Sequence, residues 1–222
     1  MSSKSKRKRS QKSHHRGADG DKALFASRFV EYRLRGFEKD MRICLTGTPS
    51  KERSGATHAY FPALMNCCGT LEYLARLYTG RTGRAKAIDM VVEYSRFLPK
   101  PAYSDESIRV LFDAFRNQIA HRGIASGVWI DEHDDHSGRR ITWKIKADSK
   151  HPAVELVEDA GFLLFGSPWE CTYTHRAHIH LGRLWRDIRD SATAPGGYRD
   201  QLLQDDNLVS QFSRCMRYLY PD

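Results

Sequence analysis

The stretch that decides the reading is SDESIRVLFDAFRNQIAHRGIASG, residues 104–127. Ser104 is a helix-capping residue, and Asp105 and Glu106 follow it where the positive end of a helix favours acids. Ile108, Leu111, Phe112, Phe115 and Ile119 recur at the spacing of one helical face. Gly123 stands where a helix needs a residue free to turn left-handed. The spacing therefore predicts a helix over 104–122. At about 100° per residue its opposite face carries Arg109, Asp113, Asn117 and His121, with Arg116 at the border. Asp113, Asn117 and His121 are each four residues apart and stack. Asp113 is within reach of both Arg109 and Arg116.

Working outward, the flanks also read as helices. FPALMNCCGTLEYLARLYTG, residues 61–80, places Leu64, Cys68, Leu71, Ala75 and Tyr78 on one stripe that ends near Gly80. A first helix is expected over 22–45 and a short one over 85–97. The last runs through LVSQFSRCMRYLY, and helical spacing also returns from Thr174 through Ala177, Leu181, Leu184, Trp185 and Ile188. Between these the period changes. ITWKIKA, residues 141–147, alternates apolar and polar side chains as a half-buried strand does. GVWID and AVELVE, on either side, are weaker strand candidates. The expected fold is mainly α: an antiparallel helical bundle with a small antiparallel β insertion at about 128–158.

Composition bounds the rest. The 222 residues, 40% of them hydrophobic, suffice for one domain with a proper core, expected over 21–222. The net charge is +9, but residues 1–18 hold seven Lys or Arg and no acid, which leaves about +2 for the body. Residues 1–20 have no apolar run, so they read as a disordered basic tail and not as a signal peptide. It serves either as a solubilising tail or as a phosphate-seeking arm. No segment approaches a membrane span, so a soluble, cytoplasmic protein is expected. Five cysteines without a CxxC argue against both a disulfide framework and a Cys-ligated zinc site. Cys67 and Cys68 read as buried small residues.

The polar face of 104–122 is dense in chemistry. Arg offers a rigid fork for phosphate oxygens, and His titrates near neutral pH. Together they suit metal-free cleavage of RNA by its own 2′-hydroxyl, with proton transfer by one group and charge stabilisation by another. The plain alternative is a solvated helix face whose ion pairs contribute little.

Arg116, Asn117 and His121 resemble the signature of the HEPN superfamily (higher eukaryotes and prokaryotes nucleotide-binding domains). That motif is an Arg, usually followed by a polar residue, with a His after four to six intervening residues. The resemblance covers one helix. It implies a helical bundle and an endoribonuclease that needs no cofactor or metal and acts as a toxin or antiviral-defence effector. It implies RNA as substrate, a homodimer whose motifs face each other, and an antitoxin or regulatory protein as a further partner. By carry-over Arg116 holds the scissile phosphate, His121 transfers protons and Asn117 orients them. Arg109 and Asp113 are added as substrate-binding residues from the helical wheel alone. A non-catalytic HEPN-like module binding nucleotide, RNA or protein is the alternative, and a helical structural protein a third reading.

Other clusters are weaker. His175, His178 and His180, in HRAHIH, and Glu132 to His136, in EHDDH, contain metal-ligand types, but neither presents three well-placed ligands. GRTGR lacks the context of a phosphate loop. Trp143 and Trp185 sit at core spacing rather than as stacking platforms.

Overall fold

A computed structural model describes residues 4–46, 59–83, 85–123, 125, 127–132, 138–147, 150–164 and 170–221. Helix α1 spans Lys4–Thr46, α2 Tyr60–Thr79 and α3 Ala87–Tyr94, which tightens into a 3₁₀ turn over Ser95–Phe97. Helix α4 (Asp105–Arg109), a π-helical segment (Val110–Arg116) and α5 (Asn117–Arg122) form one continuous rod, here called the motif helix. Strands β1 (Trp129–Ile130), β2 (Arg140–Lys146), β3 (Val154–Leu164) and β4 (Glu170–His180) follow. The chain closes with α6 (Leu181–Thr193), α7 (Tyr198–Leu202) and α8 (Asp206–Leu219).

The fold is α+β, and this corrects the expected mainly-α bundle with a small antiparallel insertion. The four strands form one mixed sheet in the order β1-β2-β4-β3. β1 pairs antiparallel with β2, and β3 antiparallel with β4, but β2 and β4 run parallel. β3 lies one strand's width from β2, and β4 fills the slot between them. The strands extend to His180, well past residue 158.

β4 is where the sequence reading fails. Residues 174–180 were assigned to a helix because Ala177, Leu181 and Leu184 fall at i, i+4 and i+7. The same residues also alternate: Tyr173, Ala177 and Ile179 are buried, while Thr172 and Thr174 are exposed. Pairing on both sides by β2 and β3 decides in favour of the strand, as tertiary context often does over local spacing. The helix begins at Leu181, where Leu181, Leu184, Trp185, Ile188 and Ala192 are all buried on one face.

In several helices local pattern and structure agree. The capping of α2 is one instance: Gly80 sits at φ 62° and its N–H donates to Arg76 O at 2.9 Å. A side chain at Gly80 would also meet the Gln211 backbone of α8 at 2.8 Å, so α8 packs here only against glycine. Helix α1 carries its helical backbone through the basic segment read as a disordered tail, whose Lys, Arg and Gln are good helix formers. Its side chains are described from Gly20 onward, and Ala23 is the first of them buried.

The core lies between α1, α2, the motif helix, α6 and one face of the sheet. Tyr78, Tyr94, Phe97 and Tyr198 form an aromatic box with ring centroids 5.2–6.0 Å apart. Its buried hydroxyl on Tyr94 meets Ser191 Oγ at 3.0 Å. Trp143 of β2 packs against Phe61 of α2 and Phe115 of the motif helix, at 5.6 and 6.1 Å between ring centres. Trp143 and Trp185 are thus core residues, as their spacing indicated. Through Trp143 the sheet is keyed to the helix that carries the polar motif.

Candidate functional site

The motif helix starts as its sequence demands. Ser104 Oγ accepts from Ser107 N at 3.2 Å, and Asp105 and Glu106 occupy the first turn. It ends at Gly123, φ 75°, whose N–H donates to Ile119 O at 2.9 Å. Ile108, Val110, Leu111, Phe112, Ala114 and Phe115 are buried. The seven residues from Val110 to Arg116 are wound as a π-helix, and Asn117 N–H reaches back five residues to Phe112 O. Such wide turns are rare and recur at functional sites. They also change the rotation per residue, so the α-helical wheel does not describe the polar face faithfully.

Arg116 is half-buried and held at both terminal nitrogens. Nη2 donates to Glu72 Oε2 at 2.8 Å, and Nη1 donates to Asn117 Oδ1 at 3.0 Å. Asn117 Nδ2 in turn donates to Asp113 Oδ1 at 3.1 Å. Glu72 shares its other oxygen with Arg76 at 3.1 Å. Five side chains from two helices are therefore joined, and the guanidinium of Arg116 keeps three of its five N–H groups for another ligand. Glu72 is the partner that sequence reasoning missed. A signal was present: Glu72 and Arg76 are the only charged residues of α2, four apart on one face.

Arg109 also reaches an acid outside the motif helix. Its Nη2 is 3.7 Å from Asp131 Oδ2, beside β1. Asp131 is 1% exposed and also accepts from Arg139 Nη2 at 2.7 Å, while Arg139 Nη1 reaches Glu106 at 2.6 Å. Burial opposes the charge on Arg139, but the hydrogen bonds from Asp131 and Glu106 outweigh it and raise its pKa. This network clamps the start of the motif helix to the β1–β2 edge. Arg109 belongs to that clamp as much as to any substrate surface.

His121 is exposed in the last turn of α5. Two concavities flank the motif helix. One, of about 440 Å³, is lined by Lys86, Asp89, Arg109 and Arg116, among others. The other, of about 640 Å³, includes Gln118, Arg122, Trp129 and Glu132. Asp113 and Asn117 line both and form the ridge between them, and His121 lines neither. The structure thus brings Arg116, Asn117 and Asp113 together, sets Arg109 in the same smaller concavity while its guanidinium leans to Asp131, and leaves His121 facing solvent.

The other candidates resolve as follows. Cys68 lies near Arg116 and Glu72, but burial pushes its thiol up to about 12, so it is no nucleophile at neutral pH. Cys67 is likewise buried and raised, its Sγ 3.8 Å from Met41 Sδ. His175 and His178 sit on a strand, not a helix, and three residues apart they point to opposite faces. His180 is buried with its ring 4.8 Å from that of His151. Among the described residues no three His, Cys, Asp or Glu side chains group closely enough to hold a metal ion. Of EHDDH, residues 133–136 lie outside the described residues, as does Trp169. Among them, too, no helix is long and apolar enough to cross a membrane.

No protein-family model matches this chain, and no curated protein or solved structure shows significant similarity to it.

Proposed function

We propose that the protein is a HEPN-type endoribonuclease that cleaves RNA phosphodiesters without metal and acts as a homodimer. The observation that carries this reading is the guanidinium of Arg116, held at both ends by Glu72 and Asn117 in a widened helical turn, with three N–H groups left over. Preorganised donors of this kind stabilise charge that develops in a transition state, because they need no rearrangement when it forms. Arg116 binds the non-bridging oxygens of the scissile phosphate. The 2′-oxygen attacks phosphorus, the bond from phosphorus to the 5′-oxygen breaks, and the products are a 2′,3′-cyclic phosphate and a 5′-hydroxyl. A proton leaves the 2′-hydroxyl and one is delivered to the 5′-oxygen. His121 is the residue of the motif suited to that traffic. Its position outside both concavities of a single chain fits a cleft completed by a second copy, as the resemblance implies. A toxin or antiviral-defence role follows from the same resemblance.

A second reading has its own support. Glu72 already neutralises Arg116, and His121 stands apart from it, which suits a module that binds RNA, nucleotide or protein without cleaving.

Cleavage of a mixed RNA pool in EDTA separates the two. The wild type should leave cyclic phosphate ends, and Arg116→Ala and His121→Ala should each lower the rate by about 10²–10³. Unchanged cleavage in both variants, or a folded wild type that cleaves nothing, would remove the nuclease reading.

A further inference from the structure

The sheet has a second face that the motif does not use. Its inner face carries Ile141, Trp143 and Ile145 of β2, Ala177 and Ile179 of β4 and Val154 of β3, all packed into the core. The register puts Arg140, Thr142, Lys144 and Lys146 of β2 on the other face. They are joined there by Arg176 and His178 of β4 and by Glu155 of β3, while Thr142 and His180, which the register puts on the same side, are buried. Across the parallel pair, Lys144 stands opposite His178 and Lys146 opposite His180. Such faces usually alternate sign across strands, because like charges in opposite positions are destabilising.

Here the acids are too few to compensate. Glu155 lies opposite His178, and Asp159 pairs with Arg176 at 2.6 Å. Lys144 and Lys146 make no ion pair with any described residue, and Arg140 Nε is buried without a hydrogen-bond partner among them. The electrostatics of His178 register the imbalance. Burial, then Lys146, holds its pKa below the usual imidazole value; Glu155 opposes this, and Arg176 and His180 add to it.

We propose that this outer sheet face is a docking track for the phosphate backbone of single-stranded RNA, separate from the Arg116 site. Two features favour RNA over an acidic protein. Lys144 and Lys146 repeat along the strand at roughly 6.6–6.8 Å, close to the spacing of successive phosphates in an extended chain. Phe162, paired with Thr172 on the same face, is 58% exposed and offers a ring for a base to stack on. Cations along the backbone path with a ring for a base to stack on are the usual way to hold single strands without reading their sequence. The track does not depend on the nuclease reading, since a binding protein would use it equally.

The test is anisotropy of a fluorescein-labelled 2′-O-methyl oligouridylate, which this chemistry cannot cleave, titrated with the full chain over a range of salt. Wild type should bind, with affinity falling linearly in log–log form. The double variant Lys144→Glu/Lys146→Glu should bind at least tenfold more weakly and lose about 1.4 from the salt slope, at about 0.7 per phosphate contact. The milder Lys144→Gln/Lys146→Gln should fall between them, which guards against a folding defect in the first. Phe162→Ala should weaken binding about fivefold with the slope unchanged. The seven cations at residues 4–16 are common to all these proteins, so differences in slope belong to the sheet.

Equal affinity and slope in wild type and both lysine variants would overturn the track, and so would a wild type that does not bind. Capture of polyglutamate as tightly as the oligonucleotide, lost in the same variants, would overturn RNA in favour of an acidic protein. Binding through the lysines by a protein that cleaves no RNA would support the track while the nuclease reading fell.

Discussion

The motif helix and the outer sheet face both present cations, yet they hold them in opposite ways. Around the motif four arginines are held by acids: Arg116 and Arg76 share Glu72, and Arg109 and Arg139 share Asp131. On the sheet, Lys144 and Lys146 have none among the described residues. Paired guanidiniums are fixed in direction and suit a site that must aim at one phosphate. Unpaired lysines on flexible stems set up a field and suit attraction without aim. One chain thus contains both a positioned charge and a diffuse one, with Trp143 and its neighbours between them.

Breaking the positioned side should cost the fold most. Asp131→Ala strips the shared carboxylate from two partly buried arginines, and unfolding in urea should show a loss of about 3–5 kcal/mol. Alkaline pH should come next. The Cys68 thiol titrates at about 12 in the fold against an unfolded value near 9, so its contribution is complete below pH 9 and is lost as pH rises toward 12. Stability measured at pH 8 and pH 10.5 should therefore fall, and Cys68→Ala should flatten the fall by up to about 1.4 kcal/mol per pH unit. Glu72→Gln frees Arg116 and Arg76 at a cost of about 1–3 kcal/mol, and it should reduce cleavage by loosening Arg116 without abolishing it. A Glu72 variant as active as wild type would show that the guanidinium needs no anchor. On the diffuse side, Lys144→Gln should change stability by no more than about 0.5 kcal/mol, with a slight gain expected from relief of like charges. A large loss there would mean that the lysines are structural after all.

The sequence revealed what is local. α2, α3, the motif helix, α8, strand β2 and the start of β3 follow from period and breakers within a dozen residues, while β3 runs on to Leu164, past the expected end of the insertion. It concealed what pairs at a distance. Nothing in THRAHIHLG marks where β4 stops and α6 starts, because no turn residue separates them and both periods fit the same side chains. The parallel pairing of β2 with β4 leaves no mark on either strand alone. Among the site residues, Arg116, Asn117 and Asp113 were visible as neighbours on one helix. Glu72 is 44 positions away from Arg116 and Asp131 lies past the end of the helix, so their roles exist only after folding. For Arg109 the wheel offered Asp113 as a neighbour, while its contact with Asp131 at the β1–β2 edge exists only in the fold.

The π-helical turn at Val110–Arg116 makes the facing of the motif a matter of phase. The wide turn takes up one more residue than an α-helical turn, so every side chain after it is set by a count and not by a contact. Were the rod to close into α-helix with every residue kept, Asn117 and His121 would rotate by about 100° relative to Asp105 and Arg109, whereas removing one residue along with the wide turn would restore their facing. No side-chain substitution could turn the motif so far. Arg116 would be drawn away from Glu72, and His121 would address a different quarter of the surface, with its chemistry unchanged and its direction lost.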